Sequence, residues 1–169
     1  MNIFLSDPCP QICARNLDDK RVVKMALETA QMLSSALIVQ SHLVPGPSVN
    51  IGYGMTHAHH PCSVWTRKNR SNFSWLLEHG LHLCEEYSIR YGDTHASLEV
   101  IERAAKHRTM FNNDDPLVFS FNSSGYDTGD VFHDYKLCLV NKWKNLDKKK
   151  PNWGYTGRPA FVRQLYPFV

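Results

Sequence analysis

Apolar residues recur along this chain with the spacing of helices, not of strands. Val22, Val23, Ala26, Leu27, Ala30, Leu33 and Leu37 follow the i, i+3, i+4 rule and predict a helix over 19–40. Asp18 and Asp19 at its start suit the positive end of the helix dipole. Phe73, Leu76, Leu77, Gly80, Leu81, Cys84 and Tyr87 predict a second long helix, with Ser71 as its cap, Tyr91 near its end and Gly92 as its stop. Shorter helices are predicted over 8–16, between Pro8 and Pro10 and beyond, over 96–107 on Leu98, Ile101 and Ala105, and over 130–145 on Phe132, Tyr135, Leu139 and Trp143. Ile3 to Leu5 is a short apolar opener that tucks the start of the chain into the core.

Between these segments lie long polar stretches. Residues 43–56 hold Pro45, Gly46, Pro47, Gly52 and Gly54, a loop long enough to suggest function. Pro61 then opens a helix, where its missing N–H costs nothing. Residues 108–129 read as loop, with Leu117-Val118-Phe119 a short extended piece. A parallel sheet would need several strand signals, so the chain reads as all-α. The expected architecture is a single compact domain, 1–169, of four to six helices with long loops. Its last part, 146–169, is expected to be an irregular basic and aromatic tail that wraps the rest.

Composition narrows this picture only a little. With 169 residues, 43% of them apolar, the chain can bury one real core. A net charge of +3 is too small to establish a nucleic-acid partner by itself. Five cysteines, without C-x-x-C spacing, fit a reduced, cytoplasmic setting. Neither a secretory leader nor an apolar run near the ~20 residues of a bilayer span stands out, so no membrane partner is expected.

Candidate chemistry centres on residues 53–70, where His57, His59 and His60 precede Pro61, Trp65, Arg67, Lys68 and Arg70. Imidazoles and cations at a helix start suit an anion such as phosphate. Three histidines also suggest a metal, but no second half of a ligand set follows at familiar spacing, so neither a metal nor another cofactor is expected. Proton transfer, phosphate contact and core hydrogen bonding stay open for the imidazoles. Arg67 and Arg70 share a helix face, either to grip phosphate or as a solvated surface. Lys20, Lys24 and Glu28 lie i, i+4, i+8 along the first long helix. Glu28 borders the apolar stripe, either tuned for acid–base work or merely paired with Lys24. Arg90 can pair with Glu86, and His95 follows Gly92 in a loop, facing either a pocket or solvent. In the tail, Trp153 and Tyr155 sit among cations, either to stack on bases or to plug the core edge.

The run Asp19-Lys20-x-Val22-Val23-Lys24-Met25 with Glu28 and Gln31, then Thr56-His57-x-x-His60-Pro61-x-x-x-Trp65-x-Arg67, then Glu86-Tyr87-x-x-Arg90-Tyr91-Gly92-x-x-His95, resembles a group of small phage-encoded proteins. Its order of parts is similar to the pyrimidine-dimer DNA glycosylase/AP-lyase family. That resemblance implies a chain that begins at its active site. The amine of Met1, kept because Asn2 is bulky, would attack C1′ of a damaged nucleotide to form a Schiff base. Glu28 would move protons on that intermediate. Arg21, Lys24, His60 and Arg67 would hold phosphate or sugar, and the segment Pro151 to Tyr155, with Trp153, would touch DNA. The alternative is a non-catalytic protein of the same fold that sequesters a nucleotide-derived small molecule, such as a host defence messenger. It would use His57, His60, Trp65, Arg67, Arg90 and His95. Either version acts in the host-cell cytoplasm. Both require the chain start, the first long helix and the imidazole turn to converge.

Overall fold

A computed structural model describes residues 1–167. It is all-helical: α1 (Pro10–Arg15), α2 (Asp19–Leu43), α3 (Pro61–Thr66), α4 (Arg70–Tyr91), α5 (Leu98–Ala105), α6 (Val131–Asn141) and α7 (Ala160–Leu165). The periodic stripes account for α2 and α4, which pack on each other at the centre. They approach closely because residue 80 is glycine. A Cβ there would sit 2.7 Å from Thr29 Cγ2 of α2 and 3.1 Å from Ile101 Cδ1 of α5. α1 lies against α4, α5 against both long helices, and α3 against α2.

Capping explains the element ends. Asn69, rather than the expected Ser71, caps α4 by accepting from the Asn72 N–H at 2.7 Å. Gly92 closes α4 in the left-handed region, φ 70°. Asp130 caps α6 through the Phe132 and His133 N–H groups. α6 ends at Asn141 and passes into a π turn, Lys142–Leu146. That turn carries the helical path to the predicted end without regular α geometry.

The tail departs from expectation. It holds a 3-10 turn, Gly154–Thr156, and the regular helix α7, which buries Phe161 and Val162 and packs on α6. Among the described residues there are thus seven α-helices, where about four to six were expected. Leu117–Phe119 belongs to no strand; none occurs among the described residues.

Buried apolar side chains from Ile3 to Val162 form one cluster. Trp65 lies at one focus, packed on Trp75, Phe119 and Phe121 with ring centroids 5.0–5.9 Å apart. Trp143 and Trp153 form another, edge to face at 5.2 Å. α2 is long and apolar enough by composition to cross a membrane, contrary to the sequence expectation. However, 67% of its apolar window is buried within this protein, as befits a central core helix.

Candidate active site

The site is assembled by the first four residues folding back onto α2. Asn2 Oδ1 accepts from the Ile3 N–H at 2.8 Å and the Phe4 N–H at 3.1 Å, making a tight turn. Phe4 completes it at φ 55°, a strained conformation for an aromatic residue. The Phe4 ring is buried, with Arg21 and Lys142 each 5.7 Å from its centroid. The turn directs the Asn2 peptide N–H to Glu28 Oε2 at 2.8 Å.

Met1 is thereby fixed beside the same carboxylate. Its amine lies 3.8 Å from Glu28 Oε2. Its side chain is only 1% exposed, and Ser63 Oγ of α3 donates to its sulfur at 3.3 Å. Yet Met1 as a whole is partly exposed, so its accessible part is main chain, where the amine is. Lys24 Nζ approaches the other oxygen, Glu28 Oε1, at 3.4 Å from an exposed position. Glu28 itself is buried at the edge of the core.

The imidazole turn forms the neighbouring wall. Ser35 of α2 clasps Thr56 through both its N–H and its carbonyl, each at 3.0 Å. His57, at φ 48°, sits 2.6 Å from Thr56 Oγ1 through Nδ1. Arg67 Nη1 donates to the Ala58 carbonyl at 2.5 Å, bracing the turn from behind. His60 caps α3 by accepting from the Cys62 N–H at 3.3 Å through Nδ1. Burial holds its pKa below the ordinary imidazole value. The nearby amine and His57 push the same way, and Glu28 opposes them. Burial pushes the Cys62 thiol up to about 12, so it is no nucleophile at neutral pH.

The chain start, α2 and the imidazole turn thus meet, bringing Met1, Lys24, Glu28, His57 and His60 to one corner, with Arg67 behind them. A hollow of about 280 Å³ opens beside it, lined by Phe4, Lys24, Met25 and Lys142. His59 lines a different hollow of about 590 Å³ with Val64 and Lys68.

Four residues read as ligand contacts are placed elsewhere. Arg90 is locked inside, donating to Glu86, Asp19 and the Leu17 and Arg15 carbonyls. Asp19 and Glu28 are nine positions apart on α2, about two and a half turns, so they lie on opposite faces. His95 is fixed by the Val23 carbonyl at 3.1 Å and the Ser97 N–H at 3.1 Å, and burial lowers its pKa. Trp65 donates to the Val118 carbonyl and Trp153 to the Asn16 carbonyl; both rings are core. The pocket imagined for a sequestered nucleotide, from His57 to His95, is therefore not gathered. Arg21 is also engaged, bridging Asp18 and Asp147 at 2.7 and 2.8 Å. Among the described residues, no three His, Cys, Asp or Glu side chains group as metal ligands would.

Sequence reading gave no site role to Phe4 or Ser63, and named Asn2 at the chain start without its part in the turn. Asn2 alone left a signal, since asparagine favours such turns.

A family model described as pyrimidine dimer DNA glycosylase matches residues 1–99, which include the whole of this corner. No curated protein and no solved structure matches the chain.

Proposed function

The chain belongs to the pyrimidine dimer DNA glycosylase family, and from that premise we propose that it excises a damaged base and nicks the strand, with the Met1 amine as nucleophile and Glu28 as its proton-transfer partner. The observation that carries this reading is the division of Met1: its side chain is buried as a peg while its main chain stays accessible beside Glu28. At 3.8 Å the amine is an ion-pair neighbour of the carboxylate but outside hydrogen-bond distance, so its N–H groups are not tied to Glu28.

The amine nitrogen attacks C1′ of the damaged nucleotide, and the N–C1′ bond forms as the glycosidic bond breaks. The base departs with that electron pair and takes a proton from water. Glu28 accepts a proton from the attacking nitrogen and returns it to O4′, which opens the sugar to a C1′ imine. Loss of a C2′ proton to water then expels the 3′ phosphate, and a further water hydrolyses the imine to release the amine. The Asn2 N–H fixes Oε2, the oxygen that faces the amine, while Lys24 approaches Oε1. A base already weakly paired through damage is the cheapest to unstack.

The test is borohydride reduction in the presence of duplex DNA carrying a pyrimidine dimer or an abasic site. A covalent adduct mapping to Met1, lost on N-terminal acetylation, is expected. An adduct on a lysine, or none, overturns the reading.

A further inference from the structure

Beyond the reacting corner, the surface carries a second organised feature. A hollow of about 580 Å³ lies at the start of α2, bounded by Tyr91, Lys148, Lys149 and Lys150. It shares Lys20, Leu146 and Asp147 with the smaller hollow that holds Lys24 and Lys142, so the two are adjacent, with the Lys20–Asp147 ion pair on their common border. Together they form a trough of two neighbouring hollows that runs from Lys24, the ion-pair partner of Glu28, to Lys150.

The charge in this trough is uneven. Its carboxylates already have partners: Asp147 pairs with Lys20 and Arg21, Asp18 with Arg21 and the Trp143 indole, and Asp19 with Arg90 and Asn152. Lys148, Lys149 and Lys150 are exposed, and among the described residues no ion pair reaches them. Crowded cations of one sign repel one another and add nothing to folding; such a field suits a polyanion. Lys20, Lys24 and Glu28 form one ridge, with a rise of about 12 Å from Lys20 to Glu28, so the cations extend away from the amine over several nucleotides' length. Exposed Tyr91 and Leu146 give the trough apolar surface that a sugar or an unstacked base can cover.

We propose that this trough is the track for the sugar-phosphate backbone of the DNA strand flanking the reacting nucleotide. The inference rests on DNA being the substrate and extends it from one corner to a defined path. Lys148, Lys149 and Lys150 bind phosphates at the far end and take no part in the chemistry.

The test measures binding of a duplex carrying an unreactive tetrahydrofuran abasic analogue across a salt series. Wild type is compared with Lys148→Ala/Lys149→Ala/Lys150→Ala and with the corresponding triple arginine variant. The alanine variant is expected to lose up to about one unit of log–log salt slope per lysine, and the arginine variant to keep the slope. Borohydride adduct formation at saturating protein is expected to be unchanged in both. An unchanged slope in the alanine variant overturns the track even if the adduct forms. A lost slope without any wild-type adduct keeps the track and overturns the chemistry.

Discussion

Glu28 and Glu86 are both carboxylates buried beside a cation, yet their surroundings are opposite in kind. Glu86 holds Arg90 through both Nε and Nη2, and the rest of the guanidinium is taken up by Asp19 and two carbonyls. Arg90 is 1% exposed and nothing about it is left unsatisfied. Glu28 has one firm hydrogen bond, from the Asn2 N–H, an amine just out of reach and a flexible lysine on its outer oxygen. A saturated ion pair orders helices; an unsaturated one at the core's edge has capacity left for a substrate. Cation and carboxylate types alone do not separate the two cases, but the count of partners does.

Substitution can break this contrast most sharply at Glu28. Glu28→Gln keeps an acceptor for the Asn2 N–H, so unfolding free energy should change by no more than about 1 kcal/mol. Single-turnover strand nicking should fall by about 10²–10⁴-fold. Arg90→Ala should do the reverse, costing about 3–5 kcal/mol in urea unfolding by stranding Glu86 and Asp19, with adduct yield per folded molecule retained.

His79 supplies an intermediate case, a buried titratable group with no charge partner. It stacks on Trp75 and meets the Pro10 carbonyl at 3.1 Å, and burial lowers its pKa from 6.5 to about 4. The unfolded chain therefore binds a proton that the folded chain refuses between these values. Stability should be full above pH 6.5 and fall as the pH drops toward 4, by up to about 3 kcal/mol. His79→Asn, which keeps a donor for Pro10, should flatten that slope in denaturation curves taken across the window. The smallest effect is expected at Lys24, whose exposed pairing predicts that Lys24→Ala changes stability by only about 0.3–0.5 kcal/mol. A loss above about 1 kcal/mol would group Glu28 with Glu86 after all.

Sequence periodicity reads well where a helix has one buried stripe. The predicted 19–40 is seen as Asp19–Leu43, and the helix expected from Ser71 to Tyr91 as Arg70–Tyr91. It fails for α7, whose six residues are too few for a repeat and are preceded by Gly157 and Pro159. The pairing of Glu86 with Arg90 was visible from their spacing, but its burial was not, because Leu17 and Arg15 come from a distant turn. Trp153 carried both readings, and its bond to the Asn16 carbonyl places it in the core. The corner at Met1 was legible only through the resemblance. The turn that builds it depends on Asn2 and Phe4, and no hydrophobic pattern encodes a four-residue fold-back.

Gly80 has a consequence for engineering. Replacing a glycine within a helix by alanine ordinarily stabilises a protein by roughly 0.5–1 kcal/mol, which makes such positions attractive to anyone seeking a hardier variant. Here the added methyl would press on Thr29, the neighbour of Glu28, and force the two long helices apart. A shift of α2 there would move Glu28 relative to the Met1 amine, so a routine hardening substitution would disturb the proposed reacting corner instead.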